Sequence, residues 1–206
     1  MIDLKKKSEE IVLRAGGIVN PDLPELSPHR ELRSQEAILG RMLALYAMVG
    51  LIYVVSEPII KWLEANDLMI FVSPEERRLL ASDVTSQETH VLEWSIESIW
   101  AFAWMLSLVN ELPFTWRAGE AIPEGFPSIL EGESCAALRQ RAHLRPREEI
   151  VAQLDLYYRL GWWTRDRMQN FAYVEHVNYD AVMERLKALD WALSLEDWDE
   201  VDVRNR

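Results

Sequence analysis

The chain contains little cysteine, fewer basic than acidic residues and no long apolar run. Its one cysteine, Cys135, excludes an intramolecular disulfide and is typical of a reducing compartment. The longest uncharged apolar stretch, residues 42–55, is short of the roughly 20 residues needed to span a bilayer. Because the N-terminus also lacks an apolar signal region, the sequence predicts a cytoplasmic protein with no membrane span.

The charge balance limits the expected partners. Acidic residues outnumber basic residues by 34 to 22, and the formal net charge is −12. A field of this sign repels phosphates and anionic lipid head groups, so neither nucleic acid nor a membrane is an expected partner. The acidic excess is strongest in the tail, residues 196–206. A basic protein partner is compatible with this charge, and so is a role in solubility alone.

The sequence has no motif of a known catalytic or metal-binding chemistry. A glycine-rich phosphate loop, a Gly-x-Ser-x-Gly turn and a His-Glu-x-x-His helix are all absent. His90 and Glu93 lie three residues apart, but a carboxylate-bridged di-iron bundle needs two pairs in the opposite order. Cys135 has no neighbouring cysteine, which favours an idle thiol over a nucleophile. We therefore expect no cofactor, no metal and no catalytic residue, which favours a non-enzymatic protein without excluding an enzyme.

What the sequence does contain is a series of helix signals separated by proline and glycine. Capping residues followed by acidic residues open several segments, and no stretch alternates as a strand would. The predicted helices cover residues 4–15, 34–55, a short segment from 57, 73–81, 86–112, 146–170 and 178–195. The sequence therefore predicts an all-α fold, a single-domain multi-helix bundle with three long helices and several short ones.

Two segments interrupt the helices. Pro21, Pro24 and Pro28 predict that residues 1–33 form an N-terminal helix followed by a proline-rich linker. Prolines and glycines also make residues 113–145 an irregular connection, with short helical turns expected at 128–130 and 134–141. A connection of this length is either a functional loop or structure that the pattern does not reveal.

The most informative residue is Glu97, in the predicted helix 86–112. It shares one helical stripe with Trp100 and Trp104, and the segment 96–109 is apolar on almost every side. The carboxylate is therefore expected to be buried, where it needs a cation unless its pKa rises. The candidate partners are arginines on other helices: Arg41, Arg159 and Arg165.

The predicted helix 146–170 carries a second stripe in which charged and aromatic residues alternate. Its members are Asp155, Tyr158, Arg159, Trp162, Arg165 and Asp166. Charges spaced in this way are usually surface ion pairs, but the aromatic residues predict partial burial with stacked arginines. Structural ion pairs are the favoured interpretation of both stripes. A small-molecule pocket and acid–base catalysis by Glu97 remain open.

One distinctive segment of the chain is Asp155-Leu156-Tyr157-Tyr158-Arg159-Leu160, and others lie at 32–34, 41–45, 94–100, 111–113, 148–150, 184–191 and 197–199. Over most of the chain these segments resemble the bacterial domain-of-unknown-function family 4272, and the first is the most specific. Gly161 and Leu186 stand where the family pattern tends to have histidine. The resemblance implies a helical bacterial cytosolic protein and supplies no activity, substrate or cofactor.

Together these observations favour a non-enzymatic binding or interaction protein, for example an immunity-type or accessory partner of a basic protein. The alternative is a small-molecule sensor or enzyme that uses a buried glutamate, arginine and aromatic pocket. A cavity that reaches Glu97 would favour this alternative. The predicted binding residues are Glu97, Arg41, Trp100, Tyr158, Arg159, Trp162, Arg165 and Asp166.

Overall fold

The computed structural model describes residues 4–27, 30–172 and 174–204, and within these ranges it contains helices and no strand. The α-helices are α1 Leu4–Arg14, α2 Gln35–Gly50, α3 Ser56–Ala65, α4 Pro74–Leu80, α5 Ser86–Met105, α6 Ala136–Arg141, α7 Arg147–Gln169 and α8 Tyr179–Ala192, with a 3-10 helix at Met69–Phe71. The predicted all-α class is confirmed, whereas the organisation as one domain stays a prediction. None of these helices combines the length and apolar character that crossing a membrane requires. Pro28 of the predicted linker lies outside the described residues.

Helix starts agree with the sequence because they are encoded locally. The Ser34 side chain accepts a hydrogen bond from the Ala37 amide at the start of α2. Capping boxes, in which a side chain at each end of the first turn satisfies a backbone amide, open α4 at Ser73 and α5 at Thr85. The Asn178 side chain caps α8 in the same manner.

The predicted end of α5 is wrong by seven residues, since the helix ends at Met105 rather than Leu112. Ser107 adopts a left-handed backbone with φ 55°, and the Leu108 amide donates to the Ala103 carbonyl. This is the hydrogen-bond pattern of a left-handed helix cap, which is more often formed by glycine. The chain therefore leaves the helix before Pro113.

Two other predicted helix ends, and one predicted turn of helix, also differ from the structure. Helix α2 ends at Gly50 rather than Val55, because Val55 is extended (φ −65°, ψ 159°) to serve as the N-cap of α3. Helix α8 ends at Ala192 rather than Leu195, which is 82% exposed. Residue 128 has no regular structure and residues 129–130 form a turn, whereas the expected helix at 134–141 is present as α6.

Helix α5 packs against α2 on one side and α8 on the other, while α8 also packs against α7, and α7 against α1. The sequence of α5 explains this position, since Ala101, Phe102 and Ala103 point in different directions and are all fully buried. The Phe102 ring lies 5.6 Å from the Trp191 ring and 5.9 Å from the Trp198 ring. Aromatic contacts between α5, α8 and the tail thus form much of the core.

Candidate functional site

Glu97 is buried in α5, with 2% of its surface exposed, and forms an ion pair with Arg185 of α8. The Glu97 Oε2 atom accepts a hydrogen bond from Arg185 Nε at 2.9 Å and lies 2.7 Å from Arg185 Nη2. A hydrogen bond between two charged groups is stronger than one between neutral groups. The predicted burial of Glu97 and its pairing with an arginine of another helix are confirmed.

The remaining donors of Arg185 hold the chain that follows α5. Arg185 Nη1 donates to the Pro113 carbonyl at 2.8 Å and to the Tyr157 hydroxyl at 3.0 Å, and Nη2 donates to the Trp116 carbonyl at 2.9 Å. Glu97 Oε1 accepts from the Ala118 amide at 2.7 Å. We call Glu97, Arg185, Tyr157 and the Ala118 amide the Glu97 network. Its polar groups satisfy one another, which is what a buried ion pair requires.

The electrostatics of the Glu97 network indicate a structural role. Burial alone would lower the pKa of Arg185, but the neighbouring Tyr157 and Glu97 outweigh it and the pKa is raised. Burial raises the pKa of Tyr157, whose hydroxyl donates to the Leu112 carbonyl at 3.2 Å. Arg185 is therefore a fixed cation and Tyr157 a neutral donor. Neither group is poised to exchange a proton near neutral pH.

The three arginines that the sequence nominated as partners of Glu97 are engaged elsewhere, and this part of the prediction is wrong. Arg41 pairs with Glu76 of α4, and Arg159 pairs with Asp155 of its own helix at 2.8 Å. Arg165 donates to the Arg204 carbonyl. Arg41 and Arg159 are both buried, but the relative rotation of two helices decides which buried residues meet.

Arg185 could have been found by the argument that selected Arg41. It lies on an apolar stripe of α8 with Val182, Leu189 and Ala192, so its guanidinium had to be buried among hydrophobic residues. A buried arginine on one helix and a buried glutamate on another are expected to pair, because each would otherwise be a buried charge without a partner. The apolar stripe of α8 is therefore the sequence signal for Arg185.

The other predicted binding residues are distributed over the molecule. Trp100 lies beside the Glu97 network, with its indole donating to the Ala121 carbonyl at 2.8 Å and its ring 4.8 Å from the Trp116 ring. Tyr158 lines a different cavity, Trp162 packs half-buried against the core, and Asp166 accepts from Asn170. The structure thus brings only Trp100 to Glu97, and a binding role for the remaining residues stays a prediction.

A partly open cavity of about 210 Å³ adjoins the Glu97 network, between α5 and the turn at residues 117–120. Trp94 forms one wall, and the Arg117 guanidinium lies 5.6 Å from the centre of the Trp94 ring. Glu93, Glu120 and Tyr53 are among the other residues that line it. We call this cavity the Trp94 pocket. The cavity reaches Glu97, as a small-molecule site would, but both oxygens of the Glu97 carboxylate already accept a hydrogen bond, from the Ala118 amide and from Arg185.

His90 stands at the rim of the Trp94 pocket with both ring nitrogens engaged. Its Nε2 accepts from the Trp94 indole at 3.2 Å, and its Nδ1 lies 3.5 Å from Glu93 Oε2. Nε2 is therefore the acceptor of the ring, and Nδ1 is the nitrogen that faces the carboxylate. Across residues 4–27, 30–172 and 174–204, no three histidine, cysteine or acidic side chains converge as metal ligands would.

Cys135 is expected to be unreactive in the folded protein. It is 1% exposed, and burial raises the pKa of its thiol to about 11, which keeps the reactive thiolate scarce at neutral pH. A thiol reagent such as DTNB should therefore modify Cys135 only after denaturation, when access and an ordinary pKa are restored. Modification of the native protein at the rate of free cysteine would contradict this burial.

The model of the family described as a domain of unknown function, DUF4272, matches residues 4–201. No curated protein matches the chain. No solved structure matches it either.

Proposed function

The chain belongs to the DUF4272 family, and on that premise we propose that it is a non-enzymatic interaction protein that binds a basic protein partner. In this proposal a cationic side chain of the partner enters the Trp94 pocket. An accessory or immunity-type role in the cytoplasm is the specific form of the proposal. The observation that carries it is the Arg117 guanidinium, which already lies over the Trp94 ring.

The position of Arg117 supports a cation as the ligand. Within residues 4–27, 30–172 and 174–204, its guanidinium has no hydrogen bond or ion pair, and its one polar contact is the face of Trp94. A cation within about 6 Å of an indole ring is attracted by the negative face of the ring. Because Arg117 is exposed and held by this contact alone, a partner's arginine or lysine can replace it at little cost.

The charge around the pocket supports the same ligand. The Glu97–Arg185 pair is neutral as a unit, so the net charge of the pocket depends on Glu93, Glu120 and Arg117. Among these three, two carboxylates face one guanidinium, so the acidic side chains outnumber the basic one. The net charge of −12 for the whole chain adds a long-range field that attracts a basic partner.

The competing occupant of the same pocket is a small cationic molecule. The partly open shape of the pocket favours the side chain of a protein, because a small ligand is usually enclosed over most of its surface. The two occupants share one recognition chemistry. They differ in contact area, because only a protein partner would also contact the surface outside the pocket.

Two substitutions separate the Trp94 pocket from the general charge of the protein. Calorimetric titration with an arginine-rich peptide should show that Trp94→Leu weakens binding about fivefold, because the aromatic face is lost. Arg117→Met should strengthen binding by about two- to fivefold, because it removes the competing cation. Arg14→Met changes the net charge by the same amount as Arg117→Met, but at an exposed position of α1. It should therefore change the affinity for the peptide very little.

The control peptide carries citrulline, which is neutral, in place of each arginine. It should bind measurably more weakly, and binding of the arginine peptide should fall as salt is added. Equal binding of both peptides, or a native partner that is itself acidic, would contradict the proposal. If arginine amide alone binds as tightly as the peptide, the occupant is a small cation rather than a protein.

A further inference from the structure

A second cavity of about 210 Å³ lies on another part of the molecule, away from the Trp94 pocket. Four parts of the chain meet around it: the linker between α1 and α2, helix α7, helix α8 and the C-terminal tail. No residue lines both this cavity and the Trp94 pocket. We call it the Tyr158 cavity.

Most of the Tyr158 cavity is apolar. Leu154 of α7, Leu186 of α8 and Val203 of the tail line it and are 1%, 5% and 6% exposed. Pro24 and Leu26 of the linker form the remaining apolar wall. Burial of apolar surface is the main source of affinity that such a wall offers to a ligand.

Polar groups are also present in the lining. Asp190 of α8 is 3% exposed and forms an ion pair with Arg30 at 2.5 Å. The Tyr158 side chain also lines the cavity, and its hydroxyl has no hydrogen bond to any residue in the described ranges. Tyr158 is half-buried, and its hydroxyl is the group of the lining that is left to exchange a hydrogen bond with a ligand.

The wall that the linker contributes is held in place by charged side chains. Arg159, which is buried and paired with Asp155, donates to the Pro24 carbonyl at 2.9 Å. Lys5 of α1 donates to the Pro21 and Leu23 carbonyls at 2.6 and 2.7 Å. The cavity therefore has a fixed wall, and little order has to be gained when a ligand enters. Arg159 acts as a positioning residue for this wall.

We infer that the Tyr158 cavity binds a small, largely apolar molecule that carries one hydrogen-bonding group. The size fits such a ligand, because an engineered apolar cavity of about 150 Å³ in another protein binds benzene. The apolar wall accepts a hydrocarbon or aromatic body, and the Tyr158 hydroxyl accepts or donates the hydrogen bond of its polar group. This site is independent of the proposed capture of a basic partner.

The test is a thermal-denaturation series on the full chain with p-cresol, indole and toluene as probes. At concentrations near 100 times the dissociation constant, p-cresol or indole should raise the melting temperature by about 5–10 °C. Toluene, which has no hydrogen-bonding group, should stabilise less at the same concentration. Failure of all three probes to stabilise the wild-type protein would overturn the inference.

Variants show whether the probes occupy this cavity. Leu154→Phe fills it from α7 and should abolish the stabilisation by p-cresol. Val203→Phe fills it from the tail, where the chain can adjust, and replaces the first variant if that one does not fold. Probes that still stabilise a folded, filled variant are bound elsewhere, and this result would also overturn the inference.

The Tyr158→Phe variant tests the polar part of the site. It should weaken the binding of p-cresol about fivefold, which is the effect of one lost hydrogen bond, and leave the affinity for toluene unchanged. Tyr53→Phe, a matched change in the Trp94 pocket, should alter neither. Equal affinity of p-cresol for wild type and Tyr158→Phe would contradict the assignment of the hydroxyl. Because the basic-partner test uses other residues and another probe, either proposal can fail while the other stands.

Discussion

Replacing Arg185 by methionine is expected to lower the free energy of unfolding by about 3–5 kcal/mol. The substitution keeps much of the apolar bulk but leaves the buried Glu97 carboxyl group without its cation. It also removes the donors that hold the Pro113 and Trp116 carbonyls. Urea denaturation of the two proteins measures the difference.

Two further variants separate the ion pair from the general effect of losing an arginine. Arg14→Met alters an exposed arginine of α1 and should change the free energy of unfolding by less than about 0.5 kcal/mol. Arg185→Met combined with Glu97→Leu should cost less than the sum of the two single changes, because no buried charge is then left unpaired. A loss below about 1 kcal/mol in Arg185→Met would contradict the burial of the pair.

The Phe102→Ala substitution is expected to lower the free energy of unfolding by about 3–5 kcal/mol. The ring is fully buried at the centre of the fold, where it contacts Trp191 of α8 and Trp198 of the tail. Its removal leaves a cavity that large, rigid indole rings cannot readily fill, so both the transfer free energy and the contacts are lost.

A matched change at the surface provides the control. Phe171 is fully exposed beyond the end of α7, and Phe171→Ala should change the free energy of unfolding by less than about 0.5 kcal/mol. The two variants remove the same atoms, so their difference measures burial alone. Similar losses in both would mean that the aromatic core does not dominate the stability of the fold.

The helix starts could be predicted from the sequence because each depends on a few neighbouring residues. Ser73 and Thr85 carry the side chain, and three residues later the glutamate, that form a capping box. The end of α5 could not be predicted in this way. Ser107 takes a left-handed backbone that serine adopts only when the surrounding packing imposes it.

In the candidate sites, too, some features follow from one segment of sequence and others depend on how the helices pack. The burial of Glu97 follows from the apolar residues around it on a single helix, so one segment of sequence is enough to predict it. The choice of Arg185 rather than Arg41 as its partner depends on how α5, α2 and α8 are rotated against each other. The Trp94 pocket depends in addition on the irregular residues 112–121, which carry no periodic signal.

Hydrogen exchange at the Ala118 amide tests most directly the claim that the Glu97 network fixes the irregular chain after α5. This amide donates to a buried carboxylate oxygen although it lies outside every helix. We predict that in the native protein it exchanges about as slowly as the amides in the middle of α5. Exchange as fast as that of the exposed neighbour Gly119 would mean that the carboxylate does not hold the segment.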